Sequence, residues 1–329
     1  MPSMRPANRQ HAAPLNARLD RRQAFLGAGA VALLGAPAWD VRSRQDVAPV
    51  RPKGPTNPPG SPRRGGMLVV GAPREPDSLH PWLASTVAAY DVLDGVMDGL
   101  LRYSAEGKLR PALAEGFSIS DDGLTYTFAL RQGVRYHNGE PFEGEDFIAA
   151  WELAQDREFG ALSILGWQKV ESVDLPDRES LVVTTTEPYA PFLSTVATTY
   201  LCPRSALAEG IESFREVFGR VPVGTGPFRI AAWESGADIE LERWDDYWGA
   251  PAALDSIRYR PFAGPDGLLE ALAAGEVDIA GGAGAIPHGN VEAVMKIPGL
   301  TLFGHGTMNW QHVDLKQMAF LRELSLIHI

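Results

Sequence analysis

Cysteine is nearly absent from this sequence, and no apolar run is long enough to cross a membrane as a helix. The single cysteine, Cys202, excludes an intrachain disulfide and a paired-cysteine metal or redox site, and we expect it to be a small buried residue. The apolar stretch from Ala24 to Leu34 is too short to span a bilayer. Neither a disulfide-stabilised scaffold nor direct membrane insertion is therefore expected.

Basic residues are scarce in the larger part of the chain. Residues 1–65 contain 11 Lys and Arg against 3 acidic residues, so residues 66–329 hold 19 basic and 38 acidic residues. The formal net charge of the whole chain is −11. An acidic body repels phosphate backbones, and it has no basic stripe interleaved with aromatic residues. These features exclude nucleic acid as a partner.

The motifs of common enzyme and cofactor sites are also missing. The sequence has no nucleophile elbow, no pair of zinc-binding histidines on a helix and no phosphate-binding P-loop. Gly224-Thr225-Gly226 precedes a proline and lacks a third glycine at the dinucleotide spacing, which favours a tight turn over a cofactor loop. We therefore expect no catalytic residue and no cofactor.

Some polar residues resemble catalytic or metal-binding groups without forming a recognisable constellation. Adjacent carboxylates, the residue type used in glycoside hydrolysis, more often form turns, caps or solvated faces. They occur as Asp121-Asp122, Glu145-Asp146 and Asp245-Asp246. His137 lies where a strand turns and is interpreted as structural. Three other histidines lack regular spacing, so no metal site is predicted, and their convergence on a metal is the less favoured alternative. They are His288, His305 and His312.

Residues 1–38 have the features of an export signal. A basic segment ends in Arg21 and Arg22, an apolar stretch follows, and small residues at 36–38 offer a cleavage site. The arginine pair resembles a twin-arginine signal. Two residues rather than one separate the pair from Phe25, so an ordinary secretory signal is the alternative. No cysteine follows that could carry a lipid anchor, so a free periplasmic protein is expected. Residues 39–65 contain six prolines and predict an extended linker.

Beyond the linker, strand and helix patterns alternate, which indicates a mixed α/β fold. Apolar and polar residues alternate from Leu124 to Arg131 and predict a half-buried strand, whereas helical spacing predicts a helix from Glu145 to Gln155. Two runs around a polar turn at 176–179 predict a hairpin. Further strands are predicted at Met67–Gly71, at 239–242 and at Ile257–Pro261, and a further helix at Leu268–Ala274.

Nine short motifs follow one another along the body of the chain. They are Gly65–Val70, Glu75–Pro81, Gly99–Leu101, Leu109–Glu115, Ser120–Phe128, Leu130–Phe142 with Glu145–Phe147, Gly224–Phe228, Arg243–Trp248 and Gly275–Ala280. In this order and spacing, the chain from Gly66 to about Glu323 resembles the extracellular solute-binding proteins of the peptide and nickel importer family, called family 5. The segment Leu130–Phe142 is the most specific part of the resemblance.

The resemblance implies a two-lobed periplasmic-binding-protein-like fold of type II, with an extra domain inserted in the first lobe. We expect the first lobe at 66–101 and 198–263, the inserted domain at 102–197, and the start of the second lobe at 264–323. Family members are longer, so the C-terminal lobe is expected to be truncated. Residues 324–329 are expected to be a non-native tail, with a genuine short terminus as the alternative.

The resemblance also implies a function. The expected role is the periplasmic, monomeric binding component of an ABC importer, which captures oligopeptides or similar small solutes between two lobes and delivers them to the permease subunits. A binder of metal chelates or opines in the same fold is one alternative, and a secreted hydrolase is another. Trp244, Tyr247 and Trp248 are expected to pack lobe against lobe. The expected cleft residues are Ser85, Thr86 and Val87 in the first lobe, and Gly281, Gly282, Ala283, Met308, Asn309, Trp310 and His312 near the hinge and second lobe.

Overall fold

A computed structural model describes residues 64–104, 106–162, 166–208, 210–281, 285–300 and 302. The strands are β1 (Met67–Ala72), β2 (Leu101–Tyr103), β3 (Leu109–Pro111), β4 (Ala114–Ile119), β5 (Thr125–Leu130), β6 (Val170–Asp177), β7 (Ser180–Thr185), β8 (Phe228–Trp233), β9 (Ile239–Arg243), β10 (Ser256–Pro261) and β11 (Ile279–Ala280). The α-helices are α1 (Val87–Val96), α2 (Gly144–Gln155), α3 (Phe192–Ala197), α4 (Ile211–Ser213), α5 (Pro265–Ala274) and α6 (Val291–Val294). A π-helical turn, Phe214–Phe218, continues α4.

A five-stranded sheet has the strand order β11-β1-β10-β9-β8. β1 lies between β10 and β11 and is parallel to both, while β8, β9 and β10 pair antiparallel. Apolar side chains of α1 cover one face of this sheet, because α1 carries its buried residues at helical spacing. The residues that pack there include Val92, Leu93 and Val96 of α1 with Ile239 and Leu241 of β9.

The opposite face of β1 is covered by α5. Leu268 of α5 lies against Gly71, where a Cβ atom would be only 2.2 Å from the leucine Cδ1. Val69 belongs to the same apolar cluster as Leu268, whereas its neighbour Val70 points to the other face, as alternation along a strand requires. The sheet is thus sandwiched between two helical layers at β1.

A four-stranded antiparallel sheet has the order β4-β5-β7-β6 and packs against α2, α3 and the turn at Trp167–Lys169. Tyr126, Phe128 and Leu130 of β5 are buried and alternate with more exposed residues. α2 begins with a capping box, in which Glu143 and Asp146 reciprocally bond the helix N-terminus. The alternation and the helical spacing in the sequence therefore located both elements correctly.

The mixed α/β class is confirmed, and the predicted hairpin forms with a shorter turn. β6 continues through Asp177, so only Arg178 and Glu179 connect it to β7. The four-stranded sheet falls within 102–197, and the five-stranded sheet takes strands from 66–101, 198–263 and 264–323. The division into lobes stays a prediction.

The remaining segment assignments lie outside the described residues. These are the export signal with Arg21 and Arg22, most of the linker, and the tail at 324–329. Within the described part of the chain, no helix combines the length and the apolar character that a membrane span requires.

Candidate functional site

The candidate site lies at the edge of the five-stranded sheet where its parallel strands end. β1, β10 and β11 run in the same direction, so their carboxyl ends at Ala72, Pro261 and Ala280 share one edge. In open α/β sheets, ligands bind in the crevice outside the carboxyl ends of the strands. Ser85 and Gly281 both belong to segments that leave strands at this edge, which we call the carboxyl edge.

One carboxylate, that of Asp77, holds Ser85 and Thr86. Asp77 Oδ2 accepts hydrogen bonds from the backbone N–H of Ser85 (2.9 Å) and from its hydroxyl (2.6 Å), and Oδ1 accepts one from the Thr86 hydroxyl (2.9 Å). Partial burial acts to raise the pKa of Asp77, but these hydrogen bonds outweigh it and leave the pKa below its ordinary value. The charged carboxylate therefore fixes the loop in front of α1.

Helix α1 begins directly after this loop. Thr86 precedes the helix, but its hydroxyl bonds Asp77 and caps no helix N–H group, and the first turn contains no acidic residue. Val87, the first helical residue, has a side chain that is 50% exposed. Helix N-terminal N–H groups carry a partial positive charge that favours anionic groups. The segment 85–87 thus combines hydroxyls, an uncapped helix N-terminus and an exposed apolar side chain.

Glu75 is a further residue of the carboxyl edge that was not among the expected cleft residues. Its Oε1 accepts hydrogen bonds from the indole N–H of Trp233 (3.3 Å) and from the backbone N–H of Gly236 (3.0 Å). Glu75 therefore ties the loop after β1 to the turn between β8 and β9. A signal was present in the sequence, since two carboxylates, Glu75 and Asp77, follow a buried strand within a few residues.

Gly281 is the only member of the second predicted group that the structure describes. Its backbone N–H donates to the Gly71 carbonyl (2.9 Å), and a Cβ atom at this position would lie 2.7 Å from Val70 Cγ1. The Val70 side chain leaves no room for a Cβ atom here, which explains the glycine. Gly282, Ala283, Met308, Asn309, Trp310 and His312 lie outside the described residues.

A buried carboxylate, Asp98, lies just after the C-terminal end of α1. Asp98 is 7% exposed, and its Oδ2 accepts hydrogen bonds from the Thr225 hydroxyl (3.2 Å) and the Trp248 indole N–H (3.0 Å). Burial raises the pKa of Asp98, and the two hydrogen bonds and the positive charge of Arg102 only partly oppose this. Trp248 also packs against the core of the four-stranded sheet and has the Arg131 guanidinium 4.6 Å from its ring centroid. It therefore joins the two sheets.

The Gly224-Thr225-Gly226 turn packs against the end of α1. A Cβ atom on Gly224 would lie 2.0 Å from the Val96 carbonyl oxygen, and one on Gly226 would lie 2.6 Å from the Val96 carbonyl carbon. His137 holds the turn from outside: the Gly224 N–H donates to His137 Nδ1 (3.3 Å), so Nε2 carries the proton and donates to the Gly226 carbonyl (3.0 Å). Burial lowers the pKa of His137 to about 4, which keeps the ring neutral.

Another histidine, His80, is fully buried and lies among aromatic rings. It is 0% exposed, and its ring meets Phe214 edge-on at 4.7 Å between centroids, with Phe159 and Phe218 within 6 Å. Burial, and then the positive charge of Arg215, lower the pKa of His80 to about 4. His80 therefore packs as a neutral ring beneath the π-helical turn.

The other polar candidates form turns and caps. Asp122 accepts hydrogen bonds from Ser120 and the Leu124 N–H, and Asp146 belongs to the capping box of α2. Cys202 is buried, and burial raises the pKa of its thiol. Among the described residues, no three His, Cys, Asp or Glu side chains are placed to hold a metal ion, and His305 lies outside them.

Comparison with known proteins gives one family. The model of the bacterial extracellular solute-binding proteins, family 5 (middle part), matches residues 108–317. The chain is 28% identical over 207 residues to the glutathione-binding protein GsiB of Salmonella paratyphi A, which covers 62% of this chain and 40% of that protein. It is also 28% identical over 230 residues to the dipeptide-binding protein DppE of Bacillus subtilis, covering 65% and 42%. The chain thus spans about two fifths of these curated relatives.

Solved structures show the same fold. The chain is similar to the periplasmic binding protein DppA of Helicobacter pylori in complex with the peptide STSA, with a TM-score of 0.63 and 26% identity over 72% of this chain and 50% of that one. It is similar to AgaA of Agrobacterium tumefaciens R10 in complex with agropinic acid, with a TM-score of 0.65 and 27% identity over 71% and 46%. These likenesses confirm the predicted periplasmic-binding-protein fold class.

Proposed function

The chain belongs to the bacterial extracellular solute-binding proteins of family 5, and on that premise we propose that it captures peptides for an ABC importer. The capture site that we propose is the carboxyl edge, with the segment 85–87 and the carboxylates of Glu75 and Asp77. The permease subunits of the importer would receive the ligand. This proposal includes a monomeric, periplasmic protein that the twin-arginine route exports.

The observation that supports this proposal most directly is the ordered loop at Asp77. A peptide is a zwitterion with hydrogen-bonding groups along its length, and the loop presents hydroxyls, carboxylates and a helix N-terminus within one short segment. Three proteins that are similar to this chain are a glutathione-binding protein, a dipeptide-binding protein and a periplasmic binding protein in complex with a peptide. Because these groups are held in place before the ligand arrives, little ordering entropy is lost on binding.

An opine is the second candidate ligand. The similarity to AgaA with agropinic acid, at 27% identity, favours it. An opine lacks the free amino end of a peptide, so a preference for agropinic acid over peptides would separate the two candidates. A metal chelate remains a third ligand class within the same fold, and a secreted hydrolase remains the alternative outside it.

The test is a ligand screen on the mature protein expressed from its complete gene. Dipeptides, the peptide STSA, glutathione, agropinic acid and a nickel–histidine chelate are each added, and the melting temperature is measured. A ligand at 100 times its Kd stabilises the native state by about 2.7 kcal/mol, which a melting curve detects readily. We expect peptides to raise the melting temperature and to be recovered intact by mass spectrometry.

Two results would overturn the proposal. Consumption of a peptide would indicate a hydrolase. If no ligand in the set changes the melting temperature, the proposal that the protein captures a solute is wrong. A rise with agropinic acid alone would replace the peptide with an opine.

A further inference from the structure

A cavity of about 260 Å³ lies between α2, the turn at Trp167, α3 and the loop before α1. Its lining residues come from two regions of the sequence: Trp82 and Tyr90 belong to residues 66–101, and Trp167 and Tyr189 belong to residues 102–197. None of Ser85, Thr86, Val87 and Gly281 lines it, so it is distinct from the candidate site at the carboxyl edge.

The lining selects against charge. Four aromatic rings form its walls, and small side chains leave its space open at Ala150, Ala154 and Ala161. No Asp, Glu, Lys, Arg or His is among its described lining residues. Because a charge without a partner is costly to remove from water, a molecule that enters this cavity must be uncharged.

One indole N–H in the lining, that of Trp167, is accessible and is not bonded to the protein among the described residues. Trp167 as a whole is 3% exposed, but the buried unpaired indole N–H groups of the described residues are those of Trp151 and Trp244, so water reaches the Trp167 N–H. The other indole in the lining, that of Trp82, already donates to the Tyr200 carbonyl (3.1 Å). The hydroxyls of Thr198 and Thr199 donate to backbone carbonyls one turn earlier. A ligand that accepts a hydrogen bond from the Trp167 N–H would replace water at this donor and keep its hydrogen bond satisfied.

We propose that this cavity binds an uncharged aromatic compound of about one ring, which carries a hydrogen-bond acceptor for the Trp167 N–H. A cavity of about 150 Å³ suffices for benzene in an engineered protein, so 260 Å³ holds a ring with a small substituent. Rings of Trp82, Tyr90 and Tyr189 supply aromatic contacts to such a ligand. This inference does not depend on the proposed peptide capture.

The test uses the full chain labelled with ¹⁵N and three probes of similar size. Benzamide is neutral and carries an acceptor, benzoate is charged, and toluene has no acceptor. The indole N–H signals are followed by NMR, and the Trp167 signal is assigned as the one missing from the Trp167→Phe variant. We expect benzamide to shift the Trp167 signal and to leave the signal of Trp244, which does not line the cavity, in place.

Two variants make the result specific. Trp167→Phe keeps a ring in the wall but removes the donor, so benzamide should bind about tenfold more weakly while toluene binding stays unchanged. Ala154→Phe fills the cavity and should abolish binding of both. Benzoate should bind at least tenfold more weakly than benzamide.

Three outcomes would overturn the inference. Benzamide at millimolar concentration would leave the Trp167 signal unchanged, benzoate would bind as tightly as benzamide, or the Trp167→Phe variant would bind benzamide like the wild type. Since the Trp167→Phe comparison does not use the filled-cavity variant, it decides the question even where Ala154→Phe fails to fold.

Discussion

The indole N–H of Trp248 donates to the buried carboxylate of Asp98, which lies 150 residues earlier in the chain, at 3.0 Å. A second tryptophan of the same segment, Trp244, has an equally buried N–H that finds no partner among the described residues. The two residues are four positions apart and differ in whether the indole donor is used. They therefore form a natural pair of variants.

Trp248→Phe should lower the free energy of unfolding by about 2 kcal/mol more than Trp244→Phe, because only the first change leaves the buried carboxyl oxygen of Asp98 with one hydrogen-bond partner fewer. Both variants lose the same side-chain volume, so the difference isolates the bond. Urea unfolding of the two variants checks this. Equal losses would show that the contact between Asp98 and Trp248 contributes nothing measurable.

His80 should make the protein lose stability in mild acid. Its folded pKa is lowered to about 4 from 6.5, so between these pH values the unfolded chain binds a proton that the folded protein does not. Stability contributed by His80 is thus present above pH 6.5 and is lost as the pH falls towards 4, with a slope of about 1 kcal/mol per pH unit near pH 5.

The check is the unfolding free energy from pH 7 to pH 4.5 for the wild type, His80→Leu and His288→Gln, since His288 is an exposed histidine. His80→Leu should have the shallower acid dependence, and His288→Gln should follow the wild type. Parallel curves for all three proteins would rule out His80 as the source of the slope.

Alanine at Gly224 should be strongly destabilising. The new methyl group would lie 2.0 Å from the Val96 carbonyl oxygen, which is a backbone atom that cannot rotate away. We expect a loss of more than about 3 kcal/mol, because the turn must move away from α1. Gly116→Ala is the matched control, since nothing lies within 4 Å of a Cβ atom there. Thermal melting that gives similar values for both would contradict the packing described for the turn.

Asp77→Asn should weaken ligand binding with little effect on folding. The variant retains the side-chain shape but loses the charge that holds Ser85 and Thr86, so the segment 85–87 is no longer fixed before binding. We expect at least a tenfold increase in Kd for whichever ligand the screen identifies, measured by calorimetry. Asp122→Asn removes a similar turn carboxylate from the four-stranded sheet and should leave Kd unchanged. An unchanged Kd for Asp77→Asn would move the site away from this loop.

Local patterns in the sequence were sufficient to predict the helices and strands that depend on interactions between residues close in sequence. The alternation around Tyr126 and Phe128 located β5, and the acidic residues before Phe147 marked the start of α2. These patterns work because side-chain periodicity and capping depend on neighbours a few positions away. The turn of the hairpin was predicted too long because Asp177 still pairs with Ser180.

Contacts between distant segments could not be predicted in this way. Glu75 accepts hydrogen bonds from Trp233 and Gly236, about 160 positions later, and no local pattern in the sequence predicts these contacts. Similarly, the structural role of Gly224 depends on the carbonyl of Val96. Asp77 was missed for a different reason: its partners Ser85 and Thr86 are close in sequence, but the loop that returns them to it has no regular period.

The position of β1 between β11 and β10 has a consequence for the order of folding during synthesis. Gly66, next to β1, bonds Asp255, next to β10, across 189 residues, and at about 5 to 20 residues per second a ribosome needs roughly 10 to 40 s to make that interval. The strands of the four-stranded sheet all lie within it, so that sheet can form while β1 still waits for its partner. The first strand of the body to emerge is thus among the last to be paired, and chaperones have longest access to it.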